Sequence, residues 1–282
     1  MKVQNEWQSL SLGVRILLLI CLLAGLSTMS DMLNGWTNLY GPDAGQAQSG
    51  TDYVVHWTAG RLAQEGLASS AYSPQALHDF YVTHFGLDPE VQVLGYAYPP
   101  VTFLFTRLLA LADYSTSATL FFPVSLLLFL GMACLWRGLP AMVLAFGFSG
   151  LWICLNSGQV TVLIAAVLGS AFYLLGRKPV AARILAGVLI GLVCIKPQIG
   201  VLLPLLLVIG GYKQTFLAAL MTVLLMLIAS LALDGVSTWQ AFRDAELATM
   251  SGHLGSSYHS DRFLSVFGLL ARSGYTQPVA LF

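Results

Sequence analysis

Charge is what this sequence lacks. Only 9% of its 282 residues are Asp, Glu, Lys or Arg, against about 25% in a soluble globular domain. With 57% hydrophobic residues, the chain cannot cover itself with polar surface. It reads as an all-α polytopic membrane protein. Thirteen basic residues balance thirteen acidic ones. No basic patch is interleaved with aromatics, which argues against a nucleic-acid partner. Cysteine is scarce too. Cys21, Cys134, Cys154 and Cys194 all sit in apolar runs, and no pair has zinc-ligand spacing. Neither a disulfide framework nor a zinc site is expected. No His/Cys/carboxylate set has metal spacing, and no Gly-rich phosphate loop follows a strand.

What charge there is lies unevenly. The segment from Asp31 to Tyr96 holds Asp31, Asp43, Asp52, Glu65, Asp79, Asp88 and Glu90 against a single Arg61. Ahead of it runs Leu12–Met29, too long for a signal-peptide core and without a clean cleavage site, hence a retained first span over residues 12–30. Behind it come apolar runs at Thr116–Trp136, Pro140–Leu155, Val160–Leu175, Ile184–Ile195, Ile199–Gly210 and Thr215–Leu233. These read as six short spans within residues 116–233. Val101–Ala112 is shorter still, and reads as a span or as a juxtamembrane helix.

The positive-inside bias chooses between those readings. If Val101–Ala112 stays outside, as part of an outer loop over residues 31–115, then Lys2, Arg15, Arg137, Arg177, Lys178, Arg183 and Lys213 all fall inside, joined by one acid, Glu6. The N-terminus is then inside and the acidic loop outside. Asp52, the turn Asn156-Ser157-Gly158-Gln159, the Lys196-Pro197 junction and a polar loop over residues 234–262 share the outer face. Residues 263–282 read as the start of a further span.

The acidic loop carries its own helix signals. Thr51-Asp52 can cap a helix from Tyr53 to Glu65, stopped by Gly66. Ser73-Pro74 opens a second helix that Gly86 ends. Asp52 has two compatible readings: a helix cap, or a general base kept ionised by the helix N-terminus. Lys196, at the edge of an apolar run, is either a phosphate-binding cation or a snorkelling anchor. Asn156 and Gln159 either make a plain turn or offer amides to a sugar or phosphate. His253 and His259 stand among Ser and Gly in the late loop. His56, beside Trp57, reads as facing solvent.

In order, the chain presents Asp52-Tyr53…Trp57…Gly60-Arg61, Tyr98-Pro99-Pro100, Gly158-Gln159-Val160, Gly191…Ile195-Lys196-Pro197-Gln198 and Ser265-Val266-Phe267-Gly268. Together these resemble glycosyltransferase family 87, membrane enzymes of the GT-C superfamily related to polyprenyl-phosphate-mannose-dependent mannosyltransferases. No single motif carries the likeness; their order and topological side do. The resemblance implies a GT-C-like helical bundle whose first outer loop carries juxtamembrane helices, in the cell (inner) membrane. It implies a polyprenyl-phosphate sugar donor, with mannose the expected hexose, and an inverting transfer to a lipid or glycan acceptor. Asp52 matches the catalytic base and Lys196 the Lys-Pro position near the donor phosphate. Gln159, Asn156, Tyr98, Trp57 and His253 are further candidates for substrate binding. Asp52 is a single carboxylate, unlike the acidic pair of many metal-using GT-C enzymes, so no cofactor is called for and metal dependence is doubtful. Family members usually run on through several more spans, so a chain ending at Phe282 reads as C-terminally short. A transporter or flippase, and a non-catalytic membrane partner subunit, are the rival readings. A transporter would show paired repeats with broken helices.

Overall fold

Long apolar helices and short broken ones share the work of this fold. The computed structural model describes residues 10–40, 52–86 and 95–253, the side chains of 34–40 and 249–253 excepted. Every regular element among them is helical. Three stretches are long and apolar enough to cross a bilayer: Leu12–Leu33 within α1 (Leu12–Tyr40), α5 (Tyr114–Phe146), and Lys213–Ala248 within α11 (Lys213–His253). The protein is an all-α membrane protein. Helix α1 runs on through residues 31–40, where the sequence suggests that the loop begins. No proline interrupts it there, and a helix once nucleated propagates cheaply.

Helix α5 starts where the Asp113 carboxylate accepts from the Thr116 N–H at 2.9 Å. Its backbone leaves helical geometry at Arg137 and Gly138, between the two apolar runs expected there. The second run is itself broken, with α6 (Ser149–Asn156) following a gap at Gly147 and Phe148. Next come α7 (Thr161–Leu175), α8 (Val180–Leu192) with a 3₁₀ turn Val193–Ile195, α9 (Pro197–Gly200) and α10 (Leu203–Ile209). Each is shorter than the ~20 residues of a perpendicular span. Broken helices are tolerated where neighbouring helices cover their backbone. Helix α8 packs along α7 and α11.

The described part of the acidic segment folds, with the residues just after it, into a layer of its own. Helix α2 (Asp52–Gln64) is followed by a 3₁₀ turn Ala68–Tyr72, α3 (Pro74–Phe85), a 3₁₀ turn Pro100–Thr102 and α4 (Phe103–Leu109). Local chemistry sets the boundaries. Ser73 Oγ accepts from the Ala76 N–H at 3.3 Å, Pro74 opens α3, and Gly86 closes it with φ 63°. Helix α4 crosses α2 so closely that a Cβ on Gly60 would collide with the Thr106 carbonyl. The Val101–Ala112 stretch is thus an inner element of the layer, with Val101, Thr102, Phe103 and Thr106 buried.

The final helix departs from expectation. The polar stretch from Asp234 continues as helix to His253 after a kink at Gly235. Its second half turns back over the loop layer, with Phe242 5.5 Å from the Tyr72 ring. Good helix formers run from Gln240 onward, and Ala241, Phe242 and Ala245 make an apolar face that finds a partner there. Arg107 of α4 clamps the bend. It donates to the wholly buried Asp234 carboxylate at 2.7 and 3.2 Å, and to the Ala63 carbonyl at 2.9 Å.

Candidate functional site

The first residue of α2 does not hang free in a loop. The Asp52 N–H donates to the Ser157 carbonyl at 2.9 Å, tying the start of α2 to the turn between α6 and α7. Gly158 makes this possible. Its φ is +69°, and a Cβ there would lie 2.7 Å from Tyr53 Cβ and backbone N. Both facts call for glycine. Asp52, Asn156 and Gln159 therefore meet at one end of the bundle, although about a hundred residues separate them.

Lys196 arrives at the same place from the junction of α8 and α9. Its backbone (φ −135°, ψ 74°) breaks the helix ahead of Pro197. The Thr102 hydroxyl pins this junction by donating to the Ile195 carbonyl at 3.0 Å. The Lys196 ammonium donates to Gln159 Oε1 at 3.1 Å and to Thr161 Oγ1 at 2.9 Å, and sits 5.5 Å from the centre of the Tyr98 ring. Among the described residues no carboxylate lies within ion-pair distance of it. Neutral oxygens thus orient a cation while its charge stays available to an anion. Beside it, an apolar cavity of ≈ 340 Å³ runs between α8, α10 and α11, lined by Cys194, Pro197, Leu203, Leu207, Phe216 and Leu220 among others.

A family model for glycosyltransferase family 87 matches residues 96–282. The chain belongs to this family. It is a membrane glycosyltransferase by that membership. No curated protein and no solved structure matches it. In this family 87 chain the matched region holds Tyr98, Asn156, Gln159, Lys196 and His253, while Asp52 and Trp57 precede it.

Electrostatics bind the cluster together. Burial lowers the Lys196 pKa, and the nearby Asp52 carboxylate opposes that fall. Burial raises the Tyr98 phenol, and the Asp52 charge raises it further. The imidazole of His56 is pushed down to about 3 by complete burial, with the Lys196 charge adding to the effect. His56 is therefore neutral and lies inside the protein, with no exposed surface, whereas its place beside Trp57 suggests a solvent-facing residue. The reason is that both faces of α2 are covered. The signal was present, since i and i+4 share a helix face and His56 stands four residues after Asp52.

Trp57 goes elsewhere. It lies one step round the helix, buried against Phe80, Phe85 and Tyr114, and its indole N–H donates to the Ala112 carbonyl at 3.0 Å. The structure does not bring it into the cluster. Asn156 lies on the exposed side of the turn. The His253 side chain and all of His259 lie outside the described residues. Thr161 is a residue that sequence reasoning missed; its signal was its place on the first turn of α7, two residues after Gln159. Among the described residues no group of three or more His, Cys, Asp or Glu is placed to hold a metal ion.

Proposed function

We propose that this family 87 enzyme transfers a hexose, mannose the first choice, from a polyprenyl phosphate to a hydroxyl of a lipid or glycan. The observation that carries the reading is the meeting of Asp52 with Lys196 through the Gln159 turn. Transfer of a sugar from phosphate to hydroxyl needs a base at one side of the anomeric carbon and a counter-charge at the other. The acceptor oxygen attacks the anomeric carbon while the bond from that carbon to the phosphate oxygen breaks. Asp52 takes the acceptor's proton, Lys196 neutralises the charge growing on the leaving phosphate, and the anomeric configuration inverts. The apolar cavity that begins at Cys194 and Pro197 suits an isoprenoid tail whose phosphate rests at Lys196.

The same reading orients the chain. The Arg137 break, the Arg177-Lys178 turn and Lys213 punctuate the helices away from the cluster. The positive-inside bias then sets the N-terminus and these turns in the cytoplasm, in a multi-pass arrangement in the cell membrane, with the cluster outside. No nucleotide sugar is available there, so a lipid must bring the donor.

The test is direct. Purified protein is given a panel of polyprenyl-phosphate hexoses and, in parallel, nucleotide sugars, with membrane lipid and glycan extract as acceptors. Transfer from at least one lipid-linked donor is expected. Asp52→Asn should slow it by about 10²–10⁴-fold, the usual range for a general base. Transfer from nucleotide sugars alone would overturn the reading.

A further inference from the structure

The cluster contains a buried polar group with no partner. Among the described residues neither ring nitrogen of His56 finds a hydrogen-bond partner, and the residue has no exposed surface. An unpaired buried donor and acceptor are costly to keep. Such atoms are rare enough in folded proteins that each calls for a reason. The position of His56 supplies one. It shares a face of α2 with Asp52, and its ring centre is 4.4 Å from that of Tyr98, the same ring that lies beside the Lys196 ammonium. Tyr96 closes the other side edge-on at 6.1 Å. The Tyr98 backbone is held, because the Tyr72 hydroxyl donates to its carbonyl at 2.7 Å. Its side chain keeps some exposed surface. From that position the Tyr98 ring touches both His56 and the Lys196 ammonium.

We infer that His56 is a specificity residue for the donor sugar: with the Tyr98 ring turned aside, its neutral imidazole hydrogen-bonds a hydroxyl of the hexose held between the Lys196 phosphate site and the Asp52 base. This rests on the proposed donor chemistry. A neutral imidazole offers one N–H donor and one ring-nitrogen acceptor, which matches a sugar hydroxyl and does not compete with Lys196 for the phosphate. A site built to hydrogen-bond a hydroxyl discriminates against an analogue that lacks it, because its own polar atoms are then left unpaired.

The experiment compares wild type, His56→Phe and His56→Gln with the accepted polyprenyl-phosphate hexose and its monodeoxy analogues. Wild type should lose about tenfold or more in kcat/KM on at least one deoxy donor, and His56→Phe should shrink that gap below about threefold by slowing the parent donor. The melting temperature of His56→Phe should stay level or rise, because an unpaired polar group is replaced by a ring of similar size. His56→Gln, which keeps a donor and an acceptor, should retain part of the gap. An unchanged gap in His56→Phe overturns the inference and leaves the proposed function standing, as does a wild type that treats every deoxy donor like its parent. A wild type that uses no lipid-linked donor overturns both.

Discussion

The loop layer and the membrane helices of this chain are stabilised by opposite means. In the layer, Tyr53, Ala59, Ala71, Leu77 and Phe103 are completely buried; the rings of Tyr53, Trp57 and Phe85 meet around Tyr114, and Tyr72 packs against Tyr96 and Phe103 in a second set. Polar tips are tied down as well, as where the Tyr53 hydroxyl meets Ser117 Oγ at 2.6 Å. The membrane helices leave large side chains outside, with Ile209 75% and Leu225 61% exposed. Lipid is as apolar as leucine, so these faces gain little from protein contact. The difference teaches where precision resides. Side chains that do chemistry need neighbours that fix their rotamers, and the layer and the helix ends supply such neighbours here.

Substitutions should fall on either side of this divide. The largest loss is expected for Asp234→Ala. It leaves the half-buried Arg107 without its counter-charge, which costs about 3 kcal/mol, the low end of the range for buried pairs, and it frees the second half of α11 from the layer. Thermal melting in detergent, with protease nicking near residue 235, would register it. A smaller loss, about 1–3 kcal/mol as for overpacked cores, should follow Gly60→Ala, because the new Cβ forces α4 away from α2. Melting measurements would check this too, and an unchanged midpoint would mean that the two helices are free to separate. The smallest effect belongs to Leu225→Ala on the lipid side, within about 0.5 kcal/mol in the manner of surface substitutions. If Leu225→Ala destabilised as much as Gly60→Ala, the contrast between the two regions would fail.

What could be read from the sequence follows the same divide. The caps at Ser73 and the stops at Gly66 and Gly86 are local devices, so they were legible residue by residue. The family resemblance was legible because its motifs keep their order. The helix after Gly235 was not, since its polar residues suggest a loop and the partners of its apolar face, Tyr72 among them, lie far away in the sequence. Nor were the opposite destinations of His56 and Trp57. Adjacent residues on a helix point about 100° apart, and no local pattern tells which direction faces Lys196 when both are covered. Thr161 stayed hidden for the same reason: its hydroxyl matters only because a lysine 35 residues further on reaches it.

The central claim is that Lys196 holds the donor's phosphate across the site from Asp52, and steady-state kinetics of Lys196→Gln against pH test it most directly. In the wild type the donor KM should rise as pH climbs, and should do so below the range of an ordinary lysine, because burial lowers the Lys196 pKa and phosphate binding needs the protonated form. Lys196→Gln should raise the donor KM about tenfold or more, abolish that alkaline rise, and leave the acceptor KM nearly unchanged. Equal donor KM values in the two proteins, with the alkaline rise intact, would contradict the account.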